Sequence, residues 1–470
     1  MTRPARLAWG AAIVLAALVA TLYALGAWQL VRIARGPVLP AMDATLSAQR
    51  GLTVWFRDVV LANERGGTPE QAKAFDDFCR DLYWRSEKLS DERLTLEFMR
   101  AIATYENAHS TIIDPRLRRV GLRVHWFSDG LYVVKARPGL EAMVGAKVVA
   151  IENSDPADLL KRFQSRLPGL PGWQRYRSEW FLTSPSVMVA LGNSRDDTSL
   201  LIEYETSDGA LQTLAVNAEP EIPGGDAFRE WRHVLPGDES FGTRGWSRAG
   251  DRMAAKPLYL RDLPKPFAHA WVENLDAVYV RLHGSNSTRE IDLPSFLDES
   301  VEEVRARKAK NAIVDLRFDW GGDYVLTRTF PSKLAAALPE DGRVAVITGP
   351  NTFSAGLILA ARLKDALGPR MIVVGEPVGD RLEFWAEGLE VELPRTKADL
   401  YLPTARHDLA RGCALFDREC FILDKLMPAA VKSLAPDVPA SNSFADYMAG
   451  RDEAMERARD VLTRPARSPS

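Results

Sequence analysis

The sequence predicts an α/β fold, α+β overall, in which a parallel sheet is joined to a smaller β-rich domain and a helical N-terminal region. The main observation is the strand–helix–strand pattern of residues 344–376, where short apolar strands flank a run of strong helix formers. A second strand–turn–helix pattern occupies residues 312–338. Because such crossovers connect parallel strands, both turns are expected at the carboxyl edge of one sheet, where ligands usually bind.

The composition places few demands on partners or cofactors. The chain has 470 residues, with 63 acidic and 60 basic side chains and a net charge of -3, so no nucleic-acid partner is expected. Cys79, Cys413 and Cys420 fit neither a disulfide scaffold nor a zinc site. Cys413 and Cys420 could pair in an oxidising compartment or remain unpaired. We expect no metal and no other cofactor.

The chain divides into five predicted regions, which differ in hydropathy and in predicted secondary structure. Residues 7–31 contain no charged side chain, and as a helix they would be about 37 Å long, enough to span a membrane. We interpret them as a transmembrane signal-anchor that leaves the rest of the chain outside the cytoplasm; a cleaved signal peptide is the alternative. The regions are a transmembrane signal-anchor at 1–35, a helical region with a histidine turn at 36–117, a β-rich domain at 118–218, a connector at 219–276 and the parallel-sheet domain at 277–470.

The β-rich region has the pattern of a small peptide-binding domain. Residues 139–153, GLEAMVGAKVVAIEN, are followed by a predicted helix at 156–164 and by strands at 199–205 and 211–216. This order resembles PDZ domains, although residues 168–192 form an insertion that ordinary PDZ domains lack. The resemblance implies that an extended peptide could be bound by strand addition.

Ser354 is the candidate nucleophile. It lies where a predicted parallel strand ends and a helix begins, so the free N–H groups of the helix would favour a developing negative charge there. A serine at this position could equally be an ordinary N-cap. The backbone N–H groups of Gly321, Gly322 and Ala355 could form an oxyanion hole, since glycine permits close approach.

Four short motifs then match one family in order. They are DLRFDWGG at 315–322, TFSAG at 352–356, VGE at 374–376 and PDV at 436–438. The chain resembles the tail-specific (C-terminal processing) serine peptidases, and it is more similar to the tricorn-core-like branch than to the Ser–Lys branch. The resemblance implies a crotonase/ClpP-like catalytic domain, a serine endopeptidase activity, and peptide or unfolded-protein substrates. The predicted signal-anchor indicates a location at the periplasmic face of a bacterial inner membrane.

The general base is expected to be histidine. The stretch 375–381, where the Ser–Lys branch has its lysine, contains none. The turn NAHST at 107–111 resembles the histidine turn of the tricorn-like branch, so we assign His109 as the base. Glu376 is the candidate that orients His109, and Ser110 could add a hydrogen bond. Asn107 stands where the family has an acidic residue.

Two alternatives remain open at this point. An α/β-hydrolase would place its histidine after the nucleophile, a role that His407, next to Asp408, could fill. Ser354 lacks the first glycine of the Gly-x-Ser-x-Gly motif of that class, because Thr352 stands there. The other alternative is a catalytically inactive pseudo-peptidase that acts as a peptide- or lipid-binding scaffold.

Overall fold

A computed structural model describes residues 3–114, 116–219, 243–263 and 265–463. Pro115, after the histidine turn, and residues 220–242 of the predicted connector lie outside the described residues. The structure contains both the helices and the strands that the sequence predicts, and the two kinds of element are interspersed after the N-terminal helices.

The helices are densest in the first hundred residues and recur in the parallel-sheet domain. Several begin at prolines or polar caps that the sequence makes recognisable, such as Pro69 after its capping residue Thr68. They are α1 Arg3–Ala24, α2 Trp28–Arg35, α3 Ala48–Asn63, α4 Pro69–Ser86, α5 Asp91–Ile102, α6 Pro156–Gln164, α7 Pro171–Phe181, α8 Pro185–Ala190, α9 Leu293–Arg307, α10 Phe330–Ala337, α11 Ala355–Leu367, α12 Ile422–Leu426, α13 Phe444–Met448 and α14 Glu453–Thr463.

The strands are short, and those at the centre of the parallel sheet are buried along their whole length. They are β1 Thr111–Ile113, β2 Leu122–Phe127, β3 Gly130–Ala136, β4 Lys147–Ile151, β5 Ser199–Glu205, β6 Leu211–Asn217, β7 Ser247–Arg248, β8 Phe267–Val272, β9 Ala277–Leu282, β10 Asn311–Asp315, β11 Val344–Thr348, β12 Met371–Gly375, β13 Glu383–Ala386, β14 Leu389–Glu392, β15 Asp399–Leu402, β16 Ala405–Asp408 and β17 Val438–Pro439.

The predicted parallel sheet is confirmed. Its strand order is β17-β12-β11-β10-β9-β8, with β9 to β12 and β17 parallel and β8 antiparallel at one edge. Apolar side chains of α9, α10 and α11 cover one face of the sheet, and those of α14 cover the other. Fully buried strands of this kind read as continuous apolar runs, which is why the sequence identified them.

The apolar side chains of the N-terminal helices face a core, as expected from their spacing, and they share this core with the β-rich region. Phe56 of α3 stacks on Phe98 of α5 with a centroid distance of 4.1 Å, and Phe75 of α4 lies 5.7 Å from Phe56. All three rings are fully buried. This packing fixes the position at which the histidine turn follows α5.

The β-rich region is an antiparallel sheet of order β2-β3-β4-β5-β6, with α6 after β4 as the sequence predicts. The edge of β2 is covered by α7, which lies in the insertion. The Trp126 N–H donates to Glu179 Oε1 over 3.1 Å, and the Arg175 guanidinium donates to the Phe127 carbonyl. Strand addition at β2 therefore requires α7 to leave this edge.

The expected single transmembrane helix at 7–31 is wrong. Helix α1 ends at Ala24, and α2 begins at Trp28 with its axis turned by 80°. Gln29 is fully buried and donates to the Glu419 carbonyl over 2.8 Å, while Arg32 donates to the Asn63 carbonyl over 2.9 Å. Among the described residues, no single helix is long and apolar enough to cross a membrane; the bent pair 12–24 and 28–35 is so only jointly.

The loop under α2 is closed by a disulfide between Cys413 and Cys420, whose Cα atoms lie 5.7 Å apart. Cys79 is a buried free thiol. Of the two possibilities that the sequence left open, pairing is the one adopted.

Candidate active site

Ser354 adopts a strained backbone conformation. Its φ is 52° and its ψ is -120°. Residues other than glycine rarely adopt this backbone conformation, which costs about 1–3 kcal/mol. It occupies the N-cap position of α11, yet its hydroxyl makes no capping hydrogen bond. The ordinary N-cap role therefore does not account for this serine, and its hydroxyl is left free for another purpose.

Gly321 lies directly against Ser354. A Cβ atom added to Gly321 would stand 2.7 Å from Ser354 Cβ and 3.2 Å from Ser354 Oγ, and the φ of Gly321 is 116°. Only glycine fits both the space and the backbone angle. The expectation that the two crossovers bring Gly321 and Ser354 to one edge of the sheet is confirmed.

The three predicted oxyanion donors differ in availability. The Gly321 N–H already donates to Asp319 Oδ1 over 3.2 Å. Within the described ranges, the N–H groups of Gly322 and Ala355 have no hydrogen-bond partner. Gly322 and Ala355 are therefore the pair that could receive an oxyanion, while Gly321 fixes the turn. Burial raises the pKa of Asp319 to about 7.

His109 lies between two phenylalanine rings, one of which belongs to the residue before Ser354. Its ring centroid is 4.3 Å from that of Phe353, which precedes Ser354, and 5.2 Å from that of Phe384. Trp173 of α7 stacks on the other face of Phe353 at 4.1 Å. The structure has no hydrogen bond between His109 and the Ser354 hydroxyl; such contacts often form only when substrate binds.

Asp380 is the acidic group nearest to the imidazole of His109. Asp380 Oδ2 lies 3.3 Å from His109 Nδ1, and the two side chains are 1% and 8% exposed. The angles at this contact are not those of a hydrogen bond. Asp380 was not predicted from the sequence, although it lies in the stretch 375–381 that lacks the lysine of the Ser–Lys branch. An acidic residue in a glycine turn directly after β12 was the available signal.

Glu376, the predicted orienting group, is not brought to His109. Its side chain lines a pocket of about 130 Å³ with His125, Arg175 and Glu179. In the loop after β12 the Gly379 N–H donates to the Thr352 carbonyl over 3.0 Å, so the segment next to Asp380, and not Glu376, is held near the start of α11. Burial raises the pKa of Glu376, and the positive charge of Arg175 opposes this.

Ser110 and Asn107 anchor the histidine turn. Ser110 Oγ donates to Glu64 Oε2 over 3.1 Å and accepts from Asn107 Nδ2 over 3.2 Å. The Asn107 amide also bonds both backbone groups of Trp385, at 3.0 and 3.2 Å. An acidic side chain could only accept hydrogen bonds here, which explains the asparagine. Burial raises the pKa of Glu64 to about 7. Glu64 was not predicted, since nothing in α3 marks it.

His407 is buried behind the site. Its ring stacks on Phe384 at 4.8 Å, so that Phe384 contacts both His407 and His109. His407 Nδ1 lies 2.7 Å from Asp424 Oδ2. Burial lowers the pKa of His407, but the Asp424 carboxylate outweighs this and the net shift is upward. Its burial and its partner favour a structural role for His407.

The described residues hold no group of three His, Cys, Asp or Glu side chains placed to bind a metal ion. The arrangement instead brings together a strained serine, a histidine with a carboxylate, and two free backbone N–H groups. These are the components of nucleophilic acyl transfer.

Comparison with solved structures identifies the fold. The chain aligns with mature CPAF complexed with lactacystin over 88% of this chain and 98% of that one, at a TM-score of 0.58 and 11% identity. A second structure of mature CPAF gives 0.56 over 88% and 96%. The photosystem II D1 C-terminal processing protease aligns over 87% and 99% at 12% identity, but its TM-score of 0.35 is too low to argue from.

This protein therefore has the fold of CPAF. No protein-family model matches the chain, and no curated protein matches it in sequence.

Proposed function

We propose that this protein is a serine endopeptidase in which Ser354 is the nucleophile and His109 the general base. His109 takes the hydroxyl proton as Ser354 Oγ attacks the peptide carbonyl carbon, and the N–H groups of Gly322 and Ala355 stabilise the oxyanion. His109 then gives the proton to the leaving amine. Water then attacks the acyl carbon and loses a proton to His109. His109 returns this proton to Ser354 Oγ as the acid product leaves.

The observation that carries this proposal is the conformation of Ser354. A non-glycine residue at φ 52° destabilises the fold, and no capping hydrogen bond of the Ser354 hydroxyl compensates for this cost. A catalytic role for the hydroxyl explains why the strained conformation is present. Gly321 leaves the space beside Ser354 Oγ that a side chain would fill. The peptide-bond assignment rests on the motif resemblance and on the CPAF-like fold. The histidine turn at 107–111 and the absence of lysine at 375–381 support the proposed likeness to the tricorn-core-like branch.

Asp380 completes the proposed site. With Oδ2 3.3 Å from His109 Nδ1, a small rotation of either buried side chain makes the hydrogen bond that orients the imidazole. Asp380 replaces Glu376 in this role.

The test is labelling of the purified chain with a fluorophosphonate probe. We expect labelling of the wild-type protein and none of Ser354→Ala. The matched control is Ser90→Ala, because Ser90 is an N-cap whose hydroxyl does accept from the helix, at Arg93 N. Labelling that persists in Ser354→Ala would remove the basis of the proposal.

A second candidate is a scaffold without catalysis. It is favoured by the His109 ring, which is sandwiched between Phe353 and Phe384 and makes no hydrogen bond to Ser354. A folded wild-type chain that is neither labelled by the probe nor active on unfolded protein would favour this role.

We also propose an extracytoplasmic location at a membrane surface. The Cys413–Cys420 disulfide supports an oxidising compartment. The apolar side chains of α1 from residue 12 to residue 23 are largely exposed, among them Val14 at 69%. Alkylation of the native protein followed by mass spectrometry tests the first point, since free thiols at both cysteines would argue for a reducing compartment. Flotation with lipid vesicles tests the second.

A further inference from the structure

A pocket of about 510 Å³ outside the proposed active site is lined by arginine side chains. Helical spacing places Arg93 and Arg100 on one face of α5. Arg162 lies in the last turn of α6, and Arg166 lies two residues after the end of that helix. Arg85 of α4 is the fifth arginine. These five residues, called here the arginine pocket, face a single lining carboxylate, that of Glu97.

The charges in the arginine pocket are not balanced. Glu97 pairs with Arg85 at 2.7 Å and with Arg166 at 3.6 Å. The guanidinium of Arg93 instead donates to the backbone carbonyl of Ala190, over 3.1 Å. A carbonyl fixes a guanidinium in place but does not neutralise it.

The other two guanidinium groups are held in similar ways. Arg162 donates to the Leu191 carbonyl over 2.6 Å, and Arg100 lies over the Phe78 ring at 5.5 Å. Arg85 has one further carboxylate partner, the mostly exposed Asp81. The pocket therefore contains several guanidinium groups that are already oriented but have no counter-charge in the part of the chain that the structure describes.

Arg166 shows what this imbalance costs. Its Nε is buried and has no hydrogen-bond partner among the described residues. Burial lowers the pKa of Arg166 and the neighbouring charges of Arg100 and Arg162 lower it further, while Glu97 opposes them. A bound anion would relieve both the repulsion and the missing hydrogen bond.

The arginine pocket adjoins another pocket, which extends toward the histidine turn. A second pocket of about 520 Å³ shares Arg100 and Ser165 with the first and extends to Gly169 and Arg381. A Cβ at Gly169 would lie 2.7 Å from that of Ala108, which precedes His109 in the chain. Arg381 directly follows Asp380. One extended polypeptide could thus occupy both pockets and approach the active site.

We propose that the arginine pocket binds an acidic segment of a polypeptide, through bidentate contacts between guanidinium groups and carboxylates. Guanidinium groups that come from three helices suit several separate carboxylates better than one compact anion. The further statement that this polypeptide is the substrate rests on the proposed peptidase function. The pocket then holds an acidic segment away from the scissile bond and raises the local concentration of the substrate at Ser354.

The test is a binding measurement on the full chain carrying Ser354→Ala, so that it does not depend on catalysis. The probe is a fluorescein-labelled peptide of alternating glutamate and glycine, and its matched control has glutamine in place of glutamate. We expect saturable binding of the acidic peptide only, weakened by salt. The double variant Arg93→Glu/Arg162→Glu should weaken binding at least about tenfold.

The matched control variant is Arg305→Glu/Arg307→Glu on α9, where both side chains are about half exposed and pair only with neighbouring glutamates. Its Kd for the acidic peptide should stay within about twofold of the value without these two substitutions. Equal binding by the Arg93/Arg162 variant and wild type, or equal binding of the glutamine peptide, would overturn the proposal. Binding of inorganic pyrophosphate without binding of the acidic peptide would reassign the pocket to phosphates.

Two further measurements separate the two proposals. Circular dichroism and thermal melting establish that the charge-reversal variant is folded, and Arg93→Gln/Arg162→Gln should give an intermediate loss of binding. In the catalytic wild-type background, the charge-reversal variant should keep fluorophosphonate labelling and raise KM for an acidic substrate without lowering kcat. If the charge-reversal variant binds the acidic peptide weakly but has the wild-type KM, the substrate role of the arginine pocket is rejected. If the wild-type protein is not labelled, the peptidase function is rejected.

Discussion

The imidazole of His109 faces the carboxylate of Asp380 across 3.3 Å, and both side chains are almost completely buried. His109 comes from the turn after α5, and Asp380 comes from the loop after β12. Their contact therefore joins the N-terminal helical region to the parallel sheet, and it forms beside the serine that begins α11.

Asp380→Asn is expected to lower kcat for peptide hydrolysis by roughly 10²–10⁴-fold with little change in KM. The neutral amide keeps the shape of the side chain, but it no longer favours the His109 tautomer whose Nε2 accepts the serine proton, nor the imidazolium that forms. Steady-state kinetics on a fluorogenic peptide library measure the effect.

Glu376→Gln is the matched control for Asp380→Asn, because Glu376 is also a carboxylate of the loop after β12 but lies in a different pocket. It should leave kcat within about threefold. If Glu376→Gln proves more damaging than Asp380→Asn, the orienting role belongs to Glu376 after all.

Ser354→Gly and Ser354→Ala should both abolish activity but differ in stability. Glycine adopts φ 52°, ψ -120° without strain, whereas alanine keeps the Cβ clash. The free energy of unfolding of Ser354→Gly should exceed that of Ser354→Ala by about 1 kcal/mol. Urea denaturation measures the difference. A Ser354→Ala variant as stable as Ser354→Gly would show that the backbone strain is not real.

The parts of the site that the sequence predicts are those set by local pattern. Ser354 and Gly321 follow strands of a βαβ crossover, and that topology alone brings their turns together. Asp380 was missed because its position depends on the hydrogen bond from the Gly379 N–H to the Thr352 carbonyl. These two residues are far apart in the sequence, so no local pattern predicts the contact. The strands of the antiparallel sheet β2-β3-β4-β5-β6 were predicted from their sequence pattern, but the cover that α7 gives to β2 was not.

The prediction of a single transmembrane helix at residues 7–31 failed for a related physical reason. Its uncharged run predicts one straight helix, but Gln29 finds buried carbonyl partners on the loop that Cys413 and Cys420 close. A polar side chain with such partners is more stable packed against protein than in hydrocarbon. Hydropathy averaged over a window cannot register a partner 390 residues away in the chain.

Gly321→Ala should abolish fluorophosphonate labelling. The added methyl group would lie 2.7 Å from Ser354 Cβ, and the φ of 116° would strain the turn that positions Gly322. Gly209→Ala is the control, because Gly209 also has a positive φ, of 83°, but a methyl group added there would meet no atom within 4 Å. It should lose stability and retain labelling. Loss of labelling in both variants would mean that backbone strain, and not contact with Ser354, is responsible.

Removal of the disulfide by Cys413→Ser/Cys420→Ser should cost about 2 kcal/mol and release α2. Trp28 and Gln29 donate to the carbonyls of Arg418 and Glu419, which lie within the disulfide-closed loop. Hydrogen exchange should therefore accelerate in α2 more than in α14, which packs on the far face of the sheet. Uniform acceleration of both helices would indicate a global loss of stability instead of local release.

The pH dependence of stability should be governed in part by Glu64, whose pKa burial raises to about 7. An acid with a raised pKa in the folded state binds its proton more tightly there than in the unfolded chain. Its stabilising effect is therefore complete below about pH 4.5 and is lost as the pH rises through about 7. Deprotonation leaves a buried carboxylate, and the hydrogen bonds from Ser110 and backbone N–H groups and the charge of Arg65 offset its burial only in part.

Glu64→Gln removes this titration while keeping a hydrogen-bonding partner for Ser110. We expect the free energy of unfolding of the variant, relative to wild type, to rise by roughly 2–3 kcal/mol between pH 4.5 and pH 8. Asp319→Asn, at the other carboxyl group with a pKa of about 7, is the comparison that shows whether the two act independently. Urea denaturation across this range measures both, and parallel curves for wild type and Glu64→Gln would show that Glu64 has an ordinary pKa. Because Ser110 follows His109 directly, Glu64→Gln should also flatten the alkaline limb of the activity profile if the ionised Glu64 displaces the histidine turn.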